Sequence, residues 1–431
     1  MLLIENGFVC DPKSGTEKNA DVFVVGDRIR KIGTALWGEL SEEEKAQVKR
    51  IDATGKVVAP GLVDVHVHFR EPGFTHKEDI QTGARSAAAG GVTSIVLMAN
   101  TKPCVDNVET LAEVIEKGKA TPLCIYTCGN VTMGMKGEKL TNMALLKSEG
   151  AVGFTDDGIP IMDEELVREA MRMAKELDVP ISFHEEDPSL ITNNGVNAGK
   201  ASEYFGIGGS PREAEYTLVE RDVKLALETG AQIDVQHIST KEAVEFVRQA
   251  RRQGDNVHAE ACPHHFTLTE DAVIKYGTLA KMNPPLRTEE DRMAVIRGLQ
   301  DGTIDMIATD HAPHSAEEKA KAITDAPSGI IGLETSLSLG ITSLVKPGHL
   351  SLVELIKKMS LNPARIYGLD KGTLNVGKDA DLVIFDTEMC WKPETYFSKA
   401  TNTPFTGMEL CGVVCMTICG GEVVFINDLL K

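Results

Sequence analysis

Between residues 60 and 365, short apolar stretches alternate with longer helix-like ones, and no other feature of this 431-residue chain constrains its fold as strongly. Eight stretches have the length and composition of buried strands: 62–67, 92–99, 123–127, 151–154, 179–183, 232–236, 257–261 and 305–309. Strands that alternate with helices predict a parallel sheet. Eight such units in about 300 residues predict a (β/α)8 TIM-like barrel.

The two ends of the chain have a different sequence pattern from the middle. Short apolar strands separated by turns recur near both termini, at 2–4, 21–25 and 56–59 and again at 381–385, 413–419 and 421–425. Such runs predict β-structure rather than further barrel units. The simplest arrangement is a small β-sandwich module built from residues 1–59 and 366–431, with the barrel of residues 60–365 inserted between its two parts.

Composition excludes several classes of function. A formal net charge of −19 argues against binding to nucleic acid or to an anionic membrane surface. No apolar run approaches the roughly 18 residues that a membrane-spanning helix needs. Nine cysteines without regular pairing predict reduced thiols and a cytoplasmic protein, with Cys411, Cys415 and Cys419 as buried structural thiols.

Two histidines end the first barrel strand. Side chains at positions i and i+2 of a strand point the same way, so the His66 and His68 rings can reach one point at its C-terminal end. Imidazole nitrogens are good ligands for zinc and similar ions. Taken alone, the pair could equally lie on the polar face of an edge strand.

Polar residues follow the other predicted strands as well. Catalytic residues of such barrels gather at the C-terminal ends of the strands. The candidates after successive strands are Asn100, Asn130, Asp157, His184, His237, His264 with His265, and Asp310. Together with His66 and His68, the residues Asp157, His184, His237 and Asp310 exceed what one tetrahedral zinc requires, and they suit a two-metal site with a bridging carboxylate. Individually, His184 and His237 could be core histidines, and Asp310 could cap a helix.

The motifs around these residues resemble those of the amidohydrolase superfamily and, within it, the class I dihydroorotases. The matching stretches cover nearly the whole chain: 64–73, 98–101, 153–158, 236–240, 263–265, 282–287 and 307–314. The resemblance implies that His66, His68 and Asp310 bind one metal ion, that His184 and His237 bind a second, and that Asp157 bridges both.

The resemblance also implies the substrate site. Arg70, Asn100 and His314 are expected to hold a substrate carboxylate, and Asn283 to contact the substrate ring. His264 and His265 receive no such role and are expected to pack around the site. Asp156, beside the predicted bridge, should point away from the metals because neighbouring strand residues alternate faces.

The implied reaction is the reversible cyclisation of N-carbamoyl-L-aspartate to L-dihydroorotate in pyrimidine biosynthesis, with a metal-activated water as nucleophile. Asp310 is expected to carry the proton. The stretch 311–332 is polar and has a glycine at each end of 329–332, which indicates a loop that covers the substrate, with an ordinary surface connection as the alternative. The expected cofactor is zinc, one or two ions per subunit, with two favoured. A homodimer is expected, and association with aspartate transcarbamoylase stays open.

Two alternatives compete with this interpretation. Another cyclic amidase, such as a hydantoinase or allantoinase, typically bridges its metals with a carboxylated lysine. Here the nearest lysine, Lys147, precedes the fourth strand, and Arg70 also speaks against that class. A non-catalytic scaffold for aspartate transcarbamoylase is the second alternative, although it would be expected to have lost metal ligands that this chain retains.

Overall fold

The computed structural model describes residues 1–427 of the chain. Its strands are β1 (Leu2–Asp11), β2 (Thr16–Val25), β3 (Arg28–Gly33), β4 (Lys49–Asp52), β5 (Val57–Pro60), β6 (Leu62–Val67), β7 (Val92–Leu97), β8 (Cys124–Thr127), β9 (Phe154–Thr155), β10 (Ile181–Phe183), β11 (Ile233–Val235), β12 (Val257–Ala261), β13 (Met306–Ile307), β14 (Leu382–Trp391), β15 (Leu410–Cys419) and β16 (Glu422–Ile426).

The α-helices in this part of the chain are α1 (Glu42–Gln47), α2 (Ile80–Ala89), α3 (Val108–Lys119), α4 (Met143–Ser148), α5 (Glu164–Glu176), α6 (Lys200–Phe205), α7 (Arg212–Thr229), α8 (Lys241–Arg251), α9 (Pro263–Thr267), α10 (Asp271–Tyr276), α11 (Glu289–Asp301), α12 (Ala316–Lys319), α13 (Ser336–Gly340), α14 (Leu352–Ile356) and α15 (Asn362–Ile366). Short 3-10 turns lie at Leu36–Glu39, Met133–Met135, Pro188–Leu190 and Gly277–Ala280, and π-helical turns follow α13 and α14.

Strands β6 to β13 form the predicted barrel. They pair in parallel and in chain order, β6-β7-β8 in one sheet and β9 to β13 in another. Parallel bridges join Gly129 to Phe154 and Val67 to His311, which connects the two sheets at both of their edges. The eight strands therefore surround one axis in sequence order. The limits of β6 and β12 equal the predicted ones, while β13 is shorter than expected.

The helices that cover the barrel follow from amphipathic spacing. In α5 the buried residues are Val167, Ala170, Met171 and Ala174, which occupy one face at helical spacing. The Asp163 side chain caps this helix by accepting bonds from the first-turn amides. Because helices lie outside and side chains fill the inside, every residue of β6 is buried.

Both chain termini contribute to one eight-stranded sheet, in the order β16-β15-β14-β5-β1-β2-β3 with β4 paired to β1. Residues on the two faces of β14 pack in two different hydrophobic cores. Val383 and Phe385 pack in the core of the barrel, and Leu382 and Ile384 pack in the core of the terminal module. The predicted module from both termini is confirmed. The exact domain limits at residues 59/60 and 365/366 stay predictions.

The cysteines differ in part from the expectation. Cys390 and Cys411 form a disulfide, so the prediction of reduced thiols is wrong for this pair. The physical reason is register, because antiparallel β14 and β15 place the two residues directly opposite each other. Cys415 and Cys419 are buried free thiols, as predicted. Across residues 1–427, none of the helices combines the length and apolar character needed to cross a membrane.

Candidate metal centre

His66 in β6 and His68 just after it meet two carboxylates at the C-terminal end of the barrel. His66 Nε2 lies 3.5 Å from Oδ1 of Asp157 and 3.5 Å from Oδ1 of Asp310. His68 Nε2 lies 2.9 Å from Oδ1 of Asp310 and 3.4 Å from Oδ2 of Asp157. Strand alternation thus brings both rings to one point, and strands β9 and β13 deliver the carboxylates to it.

Two further histidines approach the carboxylate of Asp157. His184 Nδ1 lies 3.6 Å from Oδ1 of Asp157, and His237 Nε2 lies 3.9 Å from that oxygen. The two ring nitrogens are 2.9 Å apart. Asp157 is therefore shared by two groups of possible ligands, one with His66 and His68 and the other with His184 and His237, and a third group of His66, His237 and Asp310 links them.

Outer partners fix the orientation of three rings. His66 Nδ1 contacts the carboxylate of Glu260, and His184 Nε2 lies 3.3 Å from Oε2 of Glu186. His68 Nδ1 lies 3.0 Å from the side-chain oxygen of Asn100. Partners of this kind set which nitrogen of a metal-binding imidazole faces the ion. Neither Glu260 nor Glu186 was predicted from the sequence, although a lone acid inside the apolar run 257–261 was a signal for the first.

The electrostatics of the cluster favour a bound cation. Burial lowers the pKa of His184, but the carboxylates of Asp157 and Glu186 outweigh it and raise that pKa to about 10. Burial raises the pKa of Asp157, but the His66 charge and contacts with the other histidines hold it well below its usual range. His66 Nε2 is buried, faces both carboxylates and has no hydrogen-bond partner among residues 1–427. Imidazoles and carboxylates in this arrangement fit a divalent metal ion.

Three residues of the site have left-handed backbone conformations. The φ angles are 60° at Arg70, 32° at His237 and 45° at Asp310. Residues other than glycine rarely adopt such angles, and where they do the strain is often found at functional sites. The backbone is therefore turned locally so that these side chains enter the barrel mouth.

A cavity of about 180 Å³ opens above the cluster. Its lining residues are His68, Arg70, Asn100, Asp157, Gly158, His184, His237, Met282, Asn283, Asp310, Ala312, His314, Ser328 and Gly329. All four predicted substrate-binding residues are among them. The structure thus brings the predicted metal ligands and the predicted substrate-binding residues into one place.

The wall of the cavity carries groups suited to an anionic, polar ligand. Arg70 donates from Nε to the Pro313 carbonyl at 3.2 Å, and its Nη2 lies 3.4 Å from His314 Nε2. Burial, with the nearby charges of Arg70 and Lys77, lowers the pKa of His314 to about 2, so this ring is neutral. Asn283 Oδ1 is buried without a hydrogen-bond partner in the described part of the chain, and can accept a bond from a ligand.

The remaining candidates lie outside the ligand groups that contain Asp157 or Asp310, and His264 and His265 form a separate buried group of possible ligands with Cys262. Asp156 accepts bonds from the backbone amides of Val131 and Thr132 at 2.9 and 3.1 Å, so it supports the turn after β8. His265 Nε2 lies 2.9 Å from the Pro284 carbonyl oxygen, and His264 is buried beside it. Asn130 donates to the backbone oxygen of Thr155 and is likewise part of the framework.

The chain is similar in sequence and in structure to known proteins. Residues 57–424 match the amidohydrolase family. The chain is 55% identical over 425 residues to a dihydroorotase of Clostridioides difficile, covering 99% of this chain and 100% of the relative. It is 48% identical over 427 residues to a dihydroorotase of Clostridium acetobutylicum, covering 99% of each. Among solved structures, an L-hydantoinase (dihydropyrimidinase) from Arthrobacter aurescens superimposes with a TM-score of 0.86 at 27% identity, covering 98% of this chain and 95% of the other.

Proposed function

The chain belongs to the amidohydrolase family and groups there with dihydroorotases, and from this premise we propose that it interconverts N-carbamoyl-L-aspartate and L-dihydroorotate in pyrimidine biosynthesis. One observation carries the proposal. A cluster of four histidines and two carboxylates lies at the floor of a cavity whose wall presents Arg70, His314 and an unpaired Asn283 oxygen. That combination suits a cyclic amide that also bears a carboxylate.

We assign the metal ligands as follows. His66, His68 and Asp310 would hold one ion, His184 and His237 a second, and Asp157 both. We propose zinc, two ions per chain. Bound zinc would lower the pKa of water to about 7 and polarise the amide carbonyl, which supplies a nucleophile at neutral pH.

Asp310 is proposed to move the proton. Burial raises the pKa of Asp310, but His66 and His68 outweigh it and hold the pKa below its usual range, so the group is a carboxylate at neutral pH. In the hydrolytic direction it accepts the proton of the attacking water and passes it to the leaving ring nitrogen. In the synthetic direction the same oxygen takes the proton from the carbamoyl nitrogen as the ring C–N bond forms, and passes it to the departing carboxylate oxygen, which leaves as water.

The wall of the cavity is proposed to orient the substrate. The Arg70 guanidinium can pair with the substrate carboxylate through two parallel hydrogen bonds, which fix its direction as well as its charge. Neutral His314 and the Asn100 amide complete this carboxylate site, and Asn283 Oδ1 accepts a ring N–H. A local cationic group explains how a chain with a net charge of −19 can bind an anion.

Hydantoinase activity is the alternative that the fold comparison raises. A TM-score of 0.86 at 27% identity shows a shared fold, whereas the relatives at 48–55% identity are dihydroorotases. Lys147 lies in the last turn of helix α4, before β9, and an aspartate is shared by the two ligand groups. A non-catalytic scaffold is disfavoured because all six candidate ligands are retained.

The experiment combines metal analysis with a substrate panel. Protein purified without chelator is assayed for zinc content and for hydrolysis of dihydroorotate, hydantoin, dihydrouracil and allantoin. We expect zinc, selective hydrolysis of dihydroorotate, loss of activity after dialysis against a strong chelator, and recovery with zinc. Full activity in metal-free protein, or a preference for hydantoin, would overturn the proposal.

We infer the assembly and location from the family resemblance alone. A homodimer, a cytoplasmic location and association with aspartate transcarbamoylase are proposed on that basis. Light scattering of the purified protein, alone and mixed with aspartate transcarbamoylase from the same cells, tests the first and third. A monomer that stays separate from that enzyme would contradict both.

A further inference from the structure

One wall of the cavity is backbone rather than side chain. Ser328 and Gly329 line it beside His314. Gly329 has a φ of 149°, and a Cβ at this position would lie 2.9 Å from His314 Nε2. The Ser328 carbonyl oxygen is 2.9 Å from the same ring nitrogen. The position of the Ser328–Gly329 backbone therefore determines how much space a ligand has next to His314.

Three buried side chains hold this wall by its carbonyl oxygens. Lys281 Nζ donates to the Ala326 carbonyl at 2.7 Å. Lys319 Nζ donates to the carbonyls of Pro327 at 2.9 Å and Gly329 at 3.1 Å. We call Lys281, Lys319 and Asn402 the carbonyl anchor.

Asn402 connects this wall to the backbone of His314. Its Nδ2 donates to the carbonyls of Gly329 and Ala312, each at 3.0 Å, and its Oδ1 accepts the backbone N–H of His314 at 3.1 Å. One buried amide thus holds two backbone segments, one at residues 312–314 and one at Gly329, next to the His314 ring. Asn402 comes from the segment between β14 and β15, so the terminal part of the chain reaches the site.

The two lysines are unusual in their burial. Lys281 is 2% exposed and Lys319 is 4% exposed, and neither forms an ion pair with a carboxylate in residues 1–427. A lysine is almost never fully buried unless it is paired, because desolvating an ammonium group is unfavourable. Backbone carbonyls of residues 326–329 are what these ammonium groups bind instead. The fold tolerates this unfavourable burial at the wall of the cavity.

We propose that Lys281, Lys319 and Asn402 are positioning residues for substrate binding, which hold the backbone of residues 326–329 and of His314 at the distance that the substrate requires. The proposal rests on the proposed function of the cavity as the substrate site. None of the three side chains lines the cavity itself. Their effect is exerted through the backbone that they hold.

The test uses Lys319→Met and Asn402→Asp, which keep size while removing donors to the carbonyls, and Lys281→Met as a third variant. Lys358→Met is the matched control, because Lys358 is also a buried lysine that donates to a backbone carbonyl, that of Ile304 at 2.7 Å, outside the cavity. Steady-state kinetics on dihydroorotate, zinc content and amide hydrogen exchange of residues 326–331 without substrate are measured for each variant.

We expect KM to rise by about tenfold or more in the anchor variants while kcat changes by less than about threefold, because misplaced binding groups weaken substrate binding without removing the proton carrier. Zinc content should be unchanged, and amide exchange in 326–331 should be faster. Lys358→Met should alter none of these. Unchanged exchange in the folded anchor variants, or equal effects in Lys358→Met, would overturn the inference.

The exchange measurement separates this inference from the proposed function. If the wild-type protein did not hydrolyse dihydroorotate, the kinetic part would fail with the proposed function. Faster exchange in 326–331 for Lys319→Met but not for Lys358→Met would still support the anchor. Normal wild-type activity combined with unchanged exchange and KM in the variants would reject the anchor alone.

Discussion

Nε2 of His68 lies 2.9 Å from Oδ1 of Asp310, although 242 positions of sequence separate the two residues. His68 follows the first barrel strand and Asp310 follows the last, so their contact exists because the barrel closes between β6 and β13. Closure is visible in the bridge between Val67 and His311. The proposed proton carrier is thereby held against a proposed metal ligand.

Asp310→Asn separates the two proposed roles of this residue. The amide keeps the size and one oxygen but cannot accept the proton, so kcat should fall by at least about a hundredfold, in the range usual for a lost general base. Zinc content should fall far less than activity. The measurement is kcat as a function of pH beside metal analysis. A variant with the wild-type pH–rate profile would place the base elsewhere, with His314 the first residue to examine.

Arg70→Ala tests the carboxylate site. The loss of a charge-assisted, two-pronged contact in a largely closed cavity should reduce kcat/KM by an amount equivalent to about 2–4 kcal/mol. Arg70→Lys should also be impaired, because a single ammonium cannot reproduce the planar fork. Zinc content serves as the control and should be that of the wild type. Wild-type kcat/KM in Arg70→Ala would show that the carboxylate binds elsewhere.

The neighbouring acids Asp156 and Asp157 form a matched pair for testing the proposed bridge. Asp157→Ala should lose zinc, first from the His184 and His237 side, because that ion would retain only two protein ligands. Asp156→Ala should keep its zinc, since its carboxylate binds the backbone of residues 131 and 132. Metal counts on the two variants decide the matter, and the reverse pattern would exchange the assignments.

Reconstitution of the metal-free protein tests the same bridge in another way. An aspartate carries its carboxylate permanently, whereas a carboxylated lysine needs dissolved carbon dioxide to form. Recovery of activity with zinc should therefore be the same with and without added bicarbonate. A requirement for bicarbonate would point to a lysine ligand.

The Lys319 ammonium should give the protein a specific pH dependence of stability. Burial, and then the nearby Lys281 charge, lower the pKa of Lys319 from 10.5 to about 7. Between pH 7 and pH 10.5 the Lys319 side chain is protonated in the unfolded chain but neutral in the folded chain. The free energy of unfolding therefore rises with pH over this range, by up to about 1.4 kcal/mol per pH unit. Below pH 7 both states are protonated and the contribution is constant.

Urea unfolding of the wild type and of Lys319→Met at pH 7 and pH 9 measures this contribution. The wild type should gain stability relative to the variant as the pH rises. Lys321→Met, which changes an exposed lysine two positions away, should show no such relative change. An equal pH response of wild type and Lys319→Met would show that Lys319 titrates normally.

Local patterns in the sequence were sufficient for the strands and for the candidate ligands. Apolar runs predicted β6 to β13 in order because a parallel strand buried on both faces has to be apolar along its length. The spacing of His66 and His68 placed both rings on one face because strand side chains alternate. Alternation likewise predicted that only one of Asp156 and Asp157 could face the cluster. Motif resemblance, rather than spacing, selected Asp157.

Tertiary structure alone decided which distant groups meet. Glu260 contacts His66 across 194 positions, and Asn402 reaches His314 across 88, and in neither case does the local sequence indicate the partner. The disulfide between Cys390 and Cys411 depends on the register of β14 and β15, which the positions of the cysteines in the chain do not reveal. The spacing of apolar residues along the sequence indicates which face of its own helix or strand a residue occupies. Which residues of other elements lie opposite that face depends on barrel closure and strand register, and these are set by packing of the whole chain.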